Sequence, residues 1–168
     1  MSALQWTTLV HAIIATLGLG TGLVATGRLV SHRPPGVLLR FFFAFASLTD
    51  ATGFLFPYRD ILPTHLAAIA SLMVLGVTLR GYVVAHQHGA WRGIYRVGVI
   101  TSTYLLALMA TLQVFSQPGS TPAAIHAPRL FLATQGLLLA ASLAACVQSL
   151  RARPGRRRRT TPPMEVHP

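Results

Sequence analysis

Acidic side chains are nearly missing from this chain: Asp50, Asp60 and Glu165 are the only three in 168 residues. Lys and Asn are absent altogether. Charged residues make up 10% of the sequence, against about a quarter in soluble domains, whose surfaces must be hydrated. A water-facing globule of this one-domain length would be left poorly covered. The single cysteine, Cys146, excludes an intramolecular disulfide and a Cys-based zinc site. In its apolar run a free thiol serves as a small hydrophobe. The missing Lys and Asn, beside frequent Ala, Gly, Arg and Pro, fit a GC-rich bacterial coding sequence.

Apolar residues, by contrast, make up 52% of the chain, and they are gathered into runs. A bilayer core of about 30 Å needs roughly 20 helical residues. Five runs reach that length, at about 8–27, 37–57, 63–84, 94–116 and 129–150. Turn chemistry separates them: Ser31 to Gly36 with Pro34 and Pro35, Pro57 to Asp60, His86 to Gly89, and Ser116 to Pro128. Proline and glycine end helices there by removing a donor or loosening the backbone. The expected fold is therefore all-α, a polytopic bundle of five transmembrane helices over residues 1–150. The proline- and arginine-rich residues 151–168 read as a disordered tail.

The net charge of +11 raises the question of nucleic acid. Placement argues against it, because six of the fourteen arginines lie between Arg151 and Arg159 and the others flank apolar runs. Cytoplasmic loops retain Lys and Arg. An outside N-terminus puts twelve arginines on the cytoplasmic side and leaves Arg59 and Arg129 outside. That bias predicts an N-out, C-in protein of the bacterial inner membrane. Met1 to Thr8 carries no basic residue, so the first run reads as a retained helix rather than a cleaved signal. Arg40 and Arg80 lie close enough to the cytoplasmic boundary to snorkel. Trp6, Tyr58, Trp91 and Tyr95 fall near interfaces, and Arg156 to Arg159 would lie along the anionic leaflet or anchor the topology.

Polar groups at depth carry the functional question, since burying one unpaired costs several kcal/mol. Each run has one in its outer half: His11, Asp50, His65, Gln113 and Gln135. Asp50 shares a helical face with Phe43, Ala46, Ser47 and Gly53, and is expected to face the bundle, protonated or paired. His11 heads a stripe of small residues, Ala15, Gly18, Gly22 and Ala25, that lets helices approach. Gln135 heads another, with Ser142, Cys146 and Ser149. His11, Asp50 and His65 together would suit a divalent metal. Two histidines, His11 and His65, would serve as haem ligands. The carboxyl and two imidazoles would also relay protons or hold a polar substrate. The structural alternative is a hydrogen-bonded network fixing helix register, with His11 and His65 as solvated boundary residues. His86, His88 and His32 make a weak metal signal at the cytoplasmic side. Gly20-Thr21-Gly22-Leu23-Val24-Ala25 matches a dinucleotide-binding pattern, but that pattern requires a strand before it, and here it lies inside an apolar run. No nucleophile with an adjacent base stands out, so an enzyme is the weaker expectation.

Several short stretches carry a resemblance: Thr52-Gly53-Phe54-Leu55-Phe56-Pro57, Leu62-Pro63-Thr64-His65 and Trp91-Arg92-Gly93-Ile94-Tyr95. Gln113-Val114-Phe115, and Pro128 with Phe131, Leu132 and Gln135, extend it, as does the early His11. Over residues 5 to 150 the chain resembles a family of small bacterial multispanning membrane proteins with no established activity. The chain departs from that family where an Asn would follow Leu-Tyr-Leu in the fourth helix (here Tyr104-Leu105-Leu106-Ala107). It departs again before the last helix, where Ile125-His126-Ala127 has no acid. The resemblance implies the topology and the His–Gln set and no catalysis. The leading expectation is an accessory subunit of a membrane assembly, partnered by the lipid bilayer and by another membrane protein or a second copy. A haem- or metal-binding redox protein using His11 and His65, and a small proton-coupled transporter centred on Asp50, are the alternatives.

Overall fold

The computed structural model describes residues 3–54, 63–83, 89–116 and 128–151. Every element among them is an α-helix: α1 (Ala3–Val30), α2 (Val37–Gly53), α3 (Pro63–Val83), α4 (Trp91–Ser116) and α5 (Pro128–Leu150). The tail beyond Arg151, His86 and His88, and the side chain of His65 lie outside the described residues.

Local chemistry sets the helix ends. Pro63 and Pro128 stand at the first positions of α3 and α5, where a missing N–H costs nothing and the fixed φ suits a helix. At the end of α1 the Arg33 amide bonds the Arg28 carbonyl at 2.7 Å, and the His32 amide bonds Leu29 at 3.0 Å. This is a Schellman closure, and it needs a left-handed residue just past the helix. His32 occupies that place with φ 54°, and Pro34 and Pro35 then prevent continuation. Gly36, with φ 63°, turns the chain into α2.

α1 runs further at both ends than the apolar run 8–27. Backbone hydrogen bonding does not stop at the first charge, so Arg28 is carried in its last turn. α4 likewise begins at Trp91 rather than 94. α1, α3, α4 and α5 are each long and apolar enough to cross a membrane. α2 is described over 17 residues, about 25 Å of helix, and residues 55–57 of the run predicted for it lie outside the described residues.

α4 is the central helix, packed against α1, α3 and α5, while α2 lies across α1 and α3. Small residues make these approaches possible. Gly18 of α1 faces Phe45 and Ala46 of α2 as well as Leu106 of α4, and Gly22 sits against Phe42 and Thr103. Gly98 of α4 lies on Thr78 of α3, and Gly81 of α3 lies on Trp91 and Tyr95. The apolar core follows these crossings: Ala25, Leu29, Leu39, Phe42, Phe43, Ala46, Leu75, Tyr95, Val99 and Leu106. Phe43, Tyr82 and Tyr95 carry it from α2 through α3 to α4, with ring centroids 5.9 and 5.7 Å apart. Around the bundle, large apolar side chains such as Ile13, Leu23, Met73, Val114, Leu132 and Leu137 are more than half exposed. A water-soluble protein would hide such a belt, whereas lipid covers it without cost.

Candidate functional site

Of the polar residues singled out in the sequence, His11, Asp50 and Gln135 lie toward one end of the bundle in three different interhelical seams. Between α1 and α2, the His11 ring places Nδ1 2.8 Å from the Thr52 hydroxyl. That hydroxyl donates its own proton to the carbonyls of Leu48, at 2.8 Å, and Thr49, at 3.1 Å. With that proton on its own helix, the Thr52 oxygen accepts from the His11 tautomer that carries its hydrogen on Nδ1. Between α2 and α3, the Ser71 hydroxyl lies beside the Asp50 carboxyl. Both are buried, Asp50 at 7% exposure, and the carboxyl atom Oδ2 has no hydrogen-bond partner among the described residues. Between α4 and α5, Gln135 Nε2 donates to the Thr111 hydroxyl at 2.5 Å, while Gln135 Oε1 is buried without a described partner.

Helix geometry explains why His11 and Asp50 belong to different seams. Asp50 and Thr52 are two residues apart, so they point about 160° apart around α2. One looks toward α3 and the other toward α1. Of the face expected around Asp50, Phe43 and Ala46 are buried, but Ser47 is exposed and Thr49 takes its place inside. The stripe on α1 lies as expected: Gly18, Gly22 and Ala25 are buried and Ala15 half-buried. On α5, Ser149 is buried and Ser142 and Cys146 are half-buried. Gln113 is exposed.

Among the described residues, no three His, Cys, Asp or Glu side chains come together as a metal-holding group. The backbone of His65 lies in the first turn of α3, so His11 is the one proposed haem ligand whose side chain is described. Its Nδ1 is directed at Thr52, not at Asp50.

Sequence reasoning passed over the partners. Thr52, Ser71 and Thr111 each complete a pair begun by a residue that did attract notice. Thr103 does the same at the α1–α4 crossing, where Thr26 donates to it at 3.4 Å while its own proton goes to the Val99 carbonyl at 2.8 Å. The pattern recurs in Thr52, Thr103 and Thr111: the hydroxyl hydrogen stays on its own helix and the lone pair is offered across the seam. Threonine inside an apolar run is the signal that could have found them.

The other end of the bundle carries all the described arginines but Arg129. Arg80 of α3 places its guanidinium carbon 5.9 Å from the centroid of the Trp91 ring. Arg96 of α4 donates to the Ser149 carbonyl at 2.5 Å, closing the end of α5. On the lipid-facing side of α1, Ala12, Ile13, Thr16 and Leu17 line a shallow apolar groove. No known family model, curated protein or solved structure matches the chain.

Proposed function

We propose that this chain is a five-span protein of the bacterial inner membrane, with its N-terminus outside, that serves as a non-enzymatic accessory subunit of a larger membrane assembly. The observation that carries this reading is the state of α5. From residue 129 to residue 148 none of its residues is buried. Its outward surface includes Gly136, Ala140 and Ala144, one helical turn apart and all exposed, where another helix can approach closely. The polar pairs support the same reading, because hydrogen bonds between neighbouring helices fix register without needing a ligand. Purification in mild detergent tests it. A complex containing a second protein or a second copy is expected, and a solitary monomer would overturn the accessory role.

The Oδ2 of Asp50, which has no hydrogen-bond partner among the described residues, favours a second reading, a small proton-coupled carrier centred on that carboxyl. An intramembrane acid with a hydroxyl beside it is a natural place to take up and release a proton. Reconstituted into proteoliposomes, the protein would then show proton-driven uptake that Asp50→Asn abolishes. Unchanged uptake in that variant would remove the reading.

A further inference from the structure

We propose that the arginine-bearing end of the bundle is a docking surface for anionic phospholipid headgroups. The antiparallel order of the helices gathers onto one end cations that are far apart in sequence. Arg28 closes α1, Arg40 lies in the first turn of α2, Arg80 in the last turn of α3, Arg92 in the first turn of α4, and Arg151 follows α5. The seams joining these ends are direct: Phe43 against Tyr82, Gly81 against Trp91, and Arg96 on the Ser149 carbonyl. Arg28, Arg40, Arg80, Arg92 and Arg151 are all exposed.

Nothing acidic among the described residues offsets them there. The one described carboxyl, Asp50, lies ten residues along α2 from Arg40, about 15 Å away. The charge is thus one-signed and sits where an apolar belt ends. A guanidinium presents a planar fork that grips a phosphate through two hydrogen bonds. Arg80 is held over Trp91, a ring type that settles at headgroup level, with exposed Leu79 and Val83 beside it on α3. A partner of phosphate above and acyl chain below matches that sequence of surfaces, and a phosphate without a chain matches only its upper part.

The full chain in phosphatidylcholine nanodiscs, compared with nanodiscs containing about one third phosphatidylglycerol, tests this. Phosphatidylglycerol is expected to raise the thermal midpoint by roughly 3 °C or more. Raising salt from about 0.05 to 0.5 M should remove most of that gain. Arg40→Gln combined with Arg80→Gln is expected to lose more than half of it, while Arg129→Gln at the opposite end keeps it. Equal midpoints in the two lipids, or a gain indifferent to salt, would overturn the proposal. So would an equal gain from free glycerol 3-phosphate, which would assign the surface to soluble phosphate, or displacement of the lipid by an oligonucleotide. The lipid and salt comparisons use the unaltered protein, so they decide the matter even if the double variant does not fold.

Discussion

At His32 the backbone takes φ 54°, a left-handed conformation that glycine adopts freely and a side chain with a Cβ resists. The cost is on the order of 1–2 kcal/mol, and the Schellman closure of α1 holds it in place. His32→Gly should therefore stabilise the protein by about 1 kcal/mol, read as a higher midpoint of thermal unfolding in detergent. Gly98 is the opposite case. A Cβ there would run into the side chain of Thr78, which is buried and whose hydroxyl is already bonded to the Val74 carbonyl at 2.6 Å. The hydroxyl cannot swing away without losing that bond, so Gly98→Ala should cost about 1–3 kcal/mol. Gly20 has nothing within 4 Å of the same added atom. Gly20→Ala should be neutral, or stabilising by up to about 1 kcal/mol through helix propensity. Unfolding both variants in detergent distinguishes close approach from glycine content as such.

Between helices, the hydrogen bonds that tie α4 to α5 are few enough to test one by one. Thr111 accepts from Gln135 near one end of the pair, and Phe115 meets Phe131 edge-on with centroids 5.5 Å apart beside it. Arg96 holds the other end. Thr111→Val should cost about 0.5–2 kcal/mol, because it leaves the Gln135 amide nitrogen without that acceptor at a seam flanked by lipid. Adding Gln135→Leu should recover part of the loss, since an apolar pair leaves no polar group stranded. A double-mutant cycle on detergent unfolding measures the difference, and a purely additive result would mean that the two residues do not work as a pair. Gln135 was evident from sequence, because an amide six residues into an apolar run, about 9 Å deep, is conspicuous. Thr111 was not, since threonine occurs in apolar runs for many reasons and only the neighbouring helix shows which one applies.

For the molecule as a whole, the distribution of arginine is the strongest constraint. The described helix ends at one side carry Arg28, Arg40, Arg80, Arg92, Arg96 and Arg151, while Arg129 stands at the other. If that asymmetry sets orientation as loops in membranes usually do, a reporter fused after Arg151 that works only in the cytoplasm should be active. The same reporter inserted after Pro118 should be silent. The reverse pattern would place the C-terminus outside and invert the topology proposed above.

Composition and the lengths of the apolar runs were enough to determine that every described element is a helix and that four of them are long and apolar enough to cross a membrane. Hydrophobic length and helix-breaking residues are local properties, and lipid requires the backbone to satisfy itself within each span. The same pattern identified the small-residue face of α1 and the inward Asp50. The tertiary structure alone decided which polar groups meet. Whether His11 joins Asp50 or Thr52 depends on which side of α2 each neighbouring helix occupies, and a two-residue step turns a side chain most of the way to the opposite face. Helix packing thus placed three of the five polar residues that the sequence presents as a set in separate seams, His11–Thr52, Asp50–Ser71 and Gln135–Thr111. It also gathered onto one end arginines from four helices and the one that follows the fifth.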